Sequence, residues 1–434
     1  MPDYHGQLGP EPRDPAQQLW DPIAQTMDRE RLRALQADRL RSMVARTLDG
    51  AAPLFGRKLA AAGIGSPQDI TDVDDVSGIP VTVKQDLRDA EAEHPPFGDY
   101  RFTQPRDCVR LGTSTGTTGT PTIAMWTRRD IWIEYESAAR NWWRNGWRPG
   151  QVVTHAHPAY LYGGGVMLSG SLEYFGLLNL WVAPPDTDEL AEQGLRMWDR
   201  VRPDVSLVAF SMGRFVEVAA KRGAEPDLPP FQLYGATRKG LPIMTAGLEC
   251  YAYVGGPGPQ CRGGHIHEDW AIVQAVDPAT GRDVADGEWG NLVVTTLDRD
   301  NGLLRYDLEE AVCVVRDPCP CGETFVRAFW GGRFKDLLSS QGKHFQVGDV
   351  EEALRAVPEV TVPTLEYVVV RPVDADAPLR VRVELAGADL DVEVVAGRCA
   401  AAIVEGVGVK AEVEVLDRET LARSGYKAVR LVDP

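Results

Sequence analysis

Residues 112–122 read GTSTGTTGTPT, and this stretch constrains the fold more than any other part of the sequence. A run of hydroxyl side chains and glycines, closed by a proline, fits neither a core strand nor a core helix. Glycine permits positive φ and close backbone approach, so consecutive N–H groups can face one concavity, and the hydroxyls add donors. The stretch predicts a loop that holds phosphate groups, with a flexible surface turn as the alternative. The G-x-x-x-x-G-K-[ST] pattern of nucleoside triphosphatases is absent.

The sequence around this loop predicts a mixed α/β protein. Between positions 109 and about 180, strand-like runs such as VVTHA and LLNLWVAP alternate with amphipathic segments, which favours a mostly parallel sheet covered by helices. Residues 15–63 have the apolar spacing of helices, and PVTVKQDLRDA predicts a short strand followed by a helix. Over residues 264–315, the turn sequences DPATG and ADGEWG between alternating runs predict antiparallel strands.

The length of the chain and a change in its sequence pattern after residue 331 predict two domains. A chain of 434 residues is too long for a single core. GGRFKDLLSSQG, at residues 331–342, predicts a boundary, and an amphipathic helix (VGDVEEALRAV) and alternating strands follow it. We therefore expect a large α/β domain over residues 1–334, with mixed or parallel sheets covered by helices. Residues 335–434 would form a small, mobile α+β domain.

Composition excludes several classes of function. The formal net charge of −17 argues against non-specific binding to nucleic acid or to anionic lipid. No stretch approaches the roughly 18 apolar residues of a membrane span. The N-terminal sequence MPDYHGQLGPEPRDPAQ is polar and lacks the apolar core of a secretory signal. We therefore expect a cytoplasmic protein that binds neither nucleic acid nor membrane.

Five of the seven cysteines lie close together in the sequence, at Cys250, Cys261, Cys313, Cys319 and Cys321. The spacing of Cys319 and Cys321 in CPCG is tight for a disulfide and suits thiolate coordination, and CRGGHIHED adds Cys261 with His265 or His267. Three sulfurs and one imidazole would form a closed, tetrahedral zinc site of the structural kind. Buried thiols without a metal are the alternative.

The order of residues in the phosphate-loop candidate carries a resemblance. STGTTGTPT resembles the [S/T]-[S/T]-G-T-T-G-x-P phosphate loop of the adenylate-forming superfamily, although Thr120 stands where many members have Lys. LQADRLRSMVARTL, GIPVTVKQDLRD, GGHIHEDWAIVQAVDPATG, DPCPCGETFVRAFWGGRFKD and LARSGYKAVRLVD resemble the phenylacetate-CoA ligase branch of that superfamily. The resemblance covers most of residues 15–434, and the motifs follow the order of the family.

The resemblance implies a two-step reaction that uses ATP, Mg²⁺ and an acyl acceptor such as CoA. A carboxylate attacks the α-phosphate to give acyl-AMP and pyrophosphate, and the CoA thiol then displaces AMP. Catalysis of the first step is positioning plus electrostatics, without a protein nucleophile. The branch also has members with zinc, which favours the set Cys261, His265, Cys319 and Cys321. His265 is preferred because GGHIHED matches the branch at its first histidine.

The resemblance assigns roles to individual residues. Lys427 in SGYKAVR matches the catalytic lysine, which would bridge the substrate carboxylate and the α-phosphate, and Asp336 matches the hinge about which the small domain turns. The positions implied for nucleotide binding are Ser114, Thr115, Gly116, Thr117, Thr118, Gly119, Gly235, Ala236, Tyr251, Glu310 and Arg333. The sequence departs from the family where a Glu on Mg²⁺ would follow Tyr251, and Glu310 replaces the Asp of R-Y-x-x-x-D.

The acid substrate is expected to bind beside THAHPAYLYGGGVMLSG, by analogy with the branch. His155, Tyr160 and Tyr162 would supply flat rings and polar tips that suit an aromatic acid, and LVAFSMGRF would line the same cleft through Phe210 or Ser211. Ordinary packing is the alternative for each of them.

Three functions remain open from the sequence. The first is an ATP-dependent ligase that joins an acid, aromatic by this lining, to CoA. The second is an adenylating ligase of specialised metabolism that passes the acyl group to an amine or a carrier-protein thiol, or activates another small acid. The third is a catalytically impaired homologue that binds nucleotide. The oligomeric state also stays open, with a homodimer as one option.

Overall fold

The structure is a computed structural model, and it describes residues 13–113, 121–144, 146–157, 163–207, 212–221, 243–244, 253–254, 264–361, 364–385, 391–422 and 429–434. The chain divides into two compact units, each assembled from separate parts of the sequence. The first comprises Met1–Gln151, Ala159–Leu178 and Lys239–Trp330, and the second comprises Val152–Pro158, Asn179–Arg238 and Gly331–Pro434. The second unit contains residues from the middle of the chain, so the predicted boundary between residues 334 and 335 stays a prediction.

Helices and strands alternate along the described residues. The helices are α1 (Pro22–Gln25), α2 (Arg29–Leu48), α3 (Pro53–Ala61), α4 (Lys84–Glu93), α5 (Arg128–Arg144), α6 (Gly163–Phe175), α7 (Asp188–Val201), α8 (Met212–Lys221), α9 (Val347–Leu354), α10 (Pro358–Thr361) and α11 (Val392–Val407). The strands are β1 (Arg110–Thr113), β2 (Ile123–Trp126), β3 (Val152–His155), β4 (Leu178–Trp181), β5 (Val205–Leu207), β6 (Ile243–Met244), β7 (Tyr253–Val254), β8 (Gly264–His265), β9 (Ala271–Val276), β10 (Trp289–Thr296), β11 (Tyr306–Val315), β12 (Arg327–Arg333), β13 (Leu338–Ser340), β14 (Lys343–Phe345), β15 (Tyr367–Val370), β16 (Leu379–Glu384), β17 (Ala411–Leu416) and β18 (Leu431–Val432). In the part of the chain that the structure describes, no helix combines the length and the apolar character needed to cross a membrane.

The first unit is built around a five-stranded sheet with the order β8-β12-β11-β10-β9. The β9, β10 and β11 pairings are antiparallel, as the turn sequences predict. Every residue of β9 is buried, because alternate residues pack into two different cores. Ile272 belongs to the core that contains Leu40, and Val273 belongs to the core that contains Val312. The predicted N-terminal helices form as well, and Asp28 caps α2 by accepting the backbone N–H of Arg31 at 2.8 Å.

The second unit contains a three-stranded sheet with the order β4-β3-β5, in which β3 and β5 run parallel. Amphipathic helices α7 and α8 cover this sheet, and their Trp198 and Phe215 rings lie 4.4 Å apart between centroids. The parallel pair agrees with the strand–helix alternation of the sequence.

The C-terminal residues of the second unit form a four-stranded mixed sheet, β17-β16-β15-β18, with its own apolar core. The α+β prediction for this part is thereby confirmed. The sequence reading did not identify α11, although Asp391 caps its start and Gly408 ends it at φ 80°. Both signals are present in the sequence.

Two local predictions differ from the structure. The strand expected before α4 is reduced to a single bridge between Thr82 and Tyr306. The first strands after position 109, β1 and β2, are antiparallel rather than part of a parallel sheet. Thr113 pairs with Ile123, so the connection is too short for the crossover of roughly a dozen residues that parallel strands need.

Candidate functional site

The predicted phosphate loop is the connection between two paired strands. The register of β1 and β2 runs from Arg110 opposite Trp126 to Thr113 opposite Ile123. Residues 114–120, which include Ser114, Thr115, Gly116, Thr117, Thr118 and Gly119, lie outside the described residues. The structure therefore describes the two strands from which this loop extends, which we call the phosphate-loop stem (residues 110–113 and 121–126).

A largely buried carboxylate holds the second strand of the phosphate-loop stem. Glu91 Oε1 accepts the backbone N–H of Ile123 at 2.9 Å and the hydroxyl of Tyr100 at 2.5 Å. The Arg101 guanidinium donates to Ile123 O and lies 3.6 Å from Glu91 Oε1. Both polar groups of the first residue of β2 are therefore bonded to side chains, which restrains the exit of the loop.

The predicted ribose motif RYDLEE contains a bulge. On β10 the paired residues step from Asn291 to Val293, whereas on β11 they step from Ala311 to Asp307. The bulge places Glu310 among residues that the β10–β11 register skips. Glu309 adopts φ 57°, and its N–H bonds Asp307 Oδ1 at 2.6 Å. A bulge with a left-handed residue redirects side chains out of the ladder and is frequent beside active sites.

The first two residues of the same motif have a structural role. The buried Arg305 donates to Ile79 O at 2.5 Å and to Gly281 O at 2.7 Å, and burial lowers the pKa of its guanidinium. Tyr306 is buried in the core of the first unit. Burial also raises the pKa of Asp307. This part of the motif anchors the strand, and the ribose-binding role that the resemblance implies for Glu310 stays a prediction.

Arg333 and Asp336 lie shortly after Gly331, the residue of β12 at which the second unit resumes. Arg333 is the last residue of β12 and is half-buried. Asp336 ends a short 3-10 turn, Phe334–Asp336, and its Oδ1 lies 3.5 Å from Arg371 Nη2. The predicted hinge residue therefore forms a loose, partly exposed ion pair, and its role in domain rotation stays a prediction.

His155 is the last residue of β3, at the carboxyl end of a parallel strand pair. This is the end at which open α/β sheets bind ligands. The His155 ring is fully buried, 4.9 Å from the Trp181 ring, and its Nε2 has no hydrogen-bond partner within the described ranges. Burial, together with neighbouring His157, lowers the pKa of His155 to about 3, and burial lowers that of His157 to about 4. Both rings are therefore neutral at pH 7.

Three of the four predicted zinc ligands converge. The ligand atoms of His265, Cys319 and Cys321 all lie within 4.8 Å of one another, and His265 Nε2 is 3.2 Å from Cys321 Sγ. His265 Nδ1 lies 2.6 Å from the carbonyl oxygen of Phe325, which can only accept, so Nδ1 donates and the lone pair resides on Nε2. This arrangement orients the imidazole as a metal ligand. Cys261 lies outside the described residues.

A frame of buried ion pairs supports this cluster, and the sequence reading did not identify it. Arg144 of α5 donates to the buried carboxylate of Glu323 at 2.5 and 3.1 Å, and the Glu323 N–H bonds Cys321 Sγ at 3.5 Å. One turn earlier, Arg140 forms a bidentate pair with Asp269 at 2.8 and 2.9 Å. The sequence AARNWWR places two arginines, four residues apart, among aromatic and alanine residues, but it does not indicate their partners.

The structure therefore brings together the described zinc candidates. It places Glu310 on β11, Arg333 at the end of β12, Asp336 in the 3-10 turn that follows and His155 at the end of β3. Other predicted site residues lie outside the described ranges: Gly235, Ala236 and Tyr251 of the nucleotide set, Tyr160, Tyr162 and Phe210 of the acid pocket, and Lys427. Their roles stay predictions.

The C-terminal residues and the fold both resemble those of known enzymes. Residues 347–434 match the family model described as the AMP-binding enzyme C-terminal domain. The structure resembles 2-hydroxyisobutyryl-CoA ligase in the postadenylation state in complex with R3-HIB-AMP, with a TM-score of 0.83 at 23% identity over 99% of this chain and 95% of that chain. The fold is therefore that of the adenylate-forming ligases.

Two curated relatives narrow this class. The chain is 32% identical to a phenylacetate-coenzyme A ligase of Thermus thermophilus, over 96% of this chain and 99% of that one. It is 26% identical to the enzyme of the same name from Escherichia coli, over 95% and 97%. The chain belongs to the phenylacetate-CoA ligase family.

Proposed function

We propose that this protein is an ATP-dependent ligase that activates a carboxylic acid to acyl-AMP and transfers the acyl group to CoA. The observation that carries the proposal is the 32% identity to a phenylacetate-coenzyme A ligase over nearly the full length of both chains. We further propose that the acid is aromatic, because the exposed Trp181 ring, which lies beside the buried and neutral His155, offers a flat, weakly polar surface.

The described residues support separate tasks in this reaction. The phosphate-loop stem, held by Glu91 and Arg101, fixes the position from which Ser114–Gly119 would bind the ATP phosphates through N–H and hydroxyl donors. The bulge at Glu310 directs a carboxylate that would accept the ribose hydroxyls. Lys427 would then stabilise the charge that develops between the acid and the α-phosphate.

Magnesium supplies charge neutralisation at the phosphates in reactions of this kind. No Glu follows Tyr251 at the family spacing, and this segment lies outside the described residues. We therefore name no protein ligand for Mg²⁺ and propose only that ATP brings it.

Pyrophosphate release tests the proposal directly. The purified protein with ATP, Mg²⁺ and a panel of aromatic and small aliphatic acids is expected to release pyrophosphate without CoA, and CoA is expected to convert the adenylate to a thioester. Pyrophosphate without thioester would favour transfer to an amine or a carrier-protein thiol. Absence of pyrophosphate with every acid would favour a nucleotide-binding homologue without activity.

We also propose that His265, Cys319 and Cys321 hold a structural zinc ion together with Cys261. A tetrahedral ion with zinc–ligand lengths of about 2.0–2.3 Å separates its ligands by about 3.5–3.8 Å. The described ligand atoms, all within 4.8 Å of one another, fit this geometry, and the Phe325 carbonyl fixes the tautomer that zinc requires. The ion would tie the β8–β12 edge to the turn before Glu323 and take no part in the reaction.

Metal content provides the test of the zinc proposal. The purified protein should contain about one zinc per chain, and Cys321→Ser should lower both the zinc content and the melting temperature. Cys108→Ser is the matched control, since Cys108 is partly exposed and bonds Thr103 and Asn301 instead. A metal-free wild type of full stability, or equal zinc in the two variants, would support buried thiols without metal.

A further inference from the structure

Arg418 is the centre of a polar network in the second unit. It follows β17, and its Nη2 donates to Glu217 Oε1 at 2.9 Å. Its Nη1 donates to the carbonyl oxygen of Thr364 at 2.8 Å and lies 3.8 Å from Glu384 Oε2. The Arg418 and Glu217 side chains are only 21% and 17% exposed, and that of Glu384 is fully buried. Ion pairs that are largely shielded from water, with several hydrogen bonds, restrain geometry more than exposed pairs do.

The same network holds the backbone turn that Arg418 begins. Glu384 accepts the N–H of Glu419 at 3.1 Å and the N–H of Leu421 at 2.6 Å. Glu419 adopts φ 68°, a left-handed conformation that costs free energy for a residue with a side chain. The buried carboxylate stabilises this conformation, so the direction in which the chain leaves the turn is fixed. The chain then continues toward Lys427, which lies five residues beyond Ala422.

Glu217 ties this turn to a distant part of the sequence. It lies near the middle of α8, whose Phe215 and Val218 are buried in the core shared with Trp198 of α7. The helix begins shortly after the carboxyl end of β5, which is the edge of the sheet at which His155 lies. Glu217 is five residues from the start of α8, which corresponds to about 8 Å along the helix axis. The contact therefore ties residues 417–421 to α8, the helix that follows β5 in the sequence.

We propose that Arg418 is a positioning residue for adenylation, because its pair with Glu217 holds the turn before Lys427 in the arrangement that the first half-reaction uses. The inference rests on the proposed function and on the catalytic role of Lys427. Rotation of residues 335–434 as the predicted small domain would move Arg418 away from Glu217 and break this pair in the second arrangement. The pair therefore contributes to one half-reaction only.

The two half-reactions provide the test, measured separately. Adenylation is followed by pyrophosphate release from acid and ATP, and transfer is followed by thioester formation from chemically prepared acyl-AMP and CoA. Glu217→Ala is expected to slow adenylation about tenfold, equivalent to about 1.4 kcal/mol, and to change transfer by less than about twofold. Arg418→Ala should act in the same direction, and Arg418→Lys should restore part of the adenylation rate because it keeps the charge.

Lys221→Ala is the matched control. Lys221 lies one turn after Glu217 on α8, and its ion pair at 3.0 Å is with Asp188. Neither half-reaction should change in this variant. Glu217→Ala is expected to fold even where Arg418→Ala does not, because it leaves the hydrogen bonds between Arg418 and Thr364 in place.

Three outcomes are distinguishable. Selective loss of adenylation in Glu217→Ala supports the inference. Equal loss of both half-reactions, or no loss in either, overturns it while leaving the proposed function intact. A wild type that neither forms nor consumes acyl-AMP overturns the proposed function and the inference with it.

Discussion

Glu91 and Glu384 each hold the chain beside a segment predicted to carry the chemistry, but their surroundings differ. Glu91 bonds Tyr100 and Ile123, which lie within 32 residues of it, and both belong to the first unit. Glu384 holds the turn at Glu419, and through Arg418 this turn is tied to Glu217, 201 residues away in sequence. The first arrangement is a local stem, whereas the second depends on a contact between distant segments.

This difference predicts which step of the reaction each region affects. A local stem keeps its geometry whatever the C-terminal residues do, so it should govern binding of the nucleotide. A turn that depends on a distant partner can be placed in one arrangement and released in another, so it should govern the rate of a single step. The predictions below test this division, from the largest expected effect to the smallest.

Lys427→Ala should have the largest effect. Loss of one charge that acts on the transition state is expected to lower the rate of pyrophosphate release by about 10²–10³-fold, because such electrostatic groups contribute several kcal/mol. Thioester formation from prepared acyl-AMP should stay within about twofold, since the α-phosphate has already reacted. Lys410→Ala, at an exposed lysine of the same C-terminal region, is the control. Equal loss of both half-reactions in Lys427→Ala would contradict the assigned role.

Acid should destabilise the second unit, which contains the buried His155 and the partly buried His157. Burial also lowers the pKa of His267 in the first unit, so the decline of the wild type includes that group. The pKa of His155 falls from 6.5 in the unfolded chain to about 3 in the folded one, so between these values only the unfolded chain binds the proton. Stability is therefore unaffected above pH 6.5 and declines as pH falls, by about 1.4 kcal/mol per pH unit for this one group. His157 acts in the same direction.

Urea unfolding at pH values of roughly 7.0, 6.0 and 5.5, where carboxylates stay ionised, measures this decline in the free energy of unfolding. His155→Gln should flatten the dependence on pH. His94→Gln removes a histidine whose side chain is 56% exposed, and it should leave the slope unchanged. The same slope in His155→Gln as in the wild type would show that the imidazole is not buried in its neutral form.

The features that the sequence predicted are those encoded over short stretches. Cys319 and Cys321 are separated by one residue, and the turns of residues 264–315 are local, so the proximity of the two cysteines and the antiparallel strands could both be expected. The signals for the start and end of α11 are equally local, since Asp391 caps the helix and Gly408 ends it in the left-handed conformation.

The remaining features depend on partners far apart in sequence. Nothing near Arg418 indicates Glu217, and nothing in AARNWWR indicates that Arg140 will meet Asp269 and that Arg144 will meet Glu323. A charged residue is normally exposed, so a buried pair becomes visible only when the fold brings both members together. The positioning residues therefore required the structure.

Glu384→Gln should slow adenylation without weakening ATP binding. The amide removes the charge opposite Arg418 and keeps one acceptor for the turn, so the geometry before Lys427 is loosened rather than lost. We expect kcat for adenylation to fall about tenfold while the KM for ATP changes less than about twofold, the pattern of an interaction made in the transition state. Steady-state pyrophosphate release at varied ATP measures both constants. A raised KM for ATP with an unchanged kcat would show that Glu384, like Glu91, acts on ATP binding. The two regions would then not differ in the step that they affect.

Glu91→Gln should show the opposite pattern, with a smaller effect. The amide can still accept the Ile123 N–H but loses its charge opposite Arg101, so the exit of the phosphate loop is held less firmly. The KM for ATP is expected to rise about three- to fivefold with kcat nearly unchanged, because uniform binding is lost. Tyr100→Phe is the milder control, since it removes only the hydroxyl that donates to Glu91. If Glu91→Gln lowered kcat and left KM unchanged, the stem would be acting on the chemical step, and the contrast with Glu384 would fail.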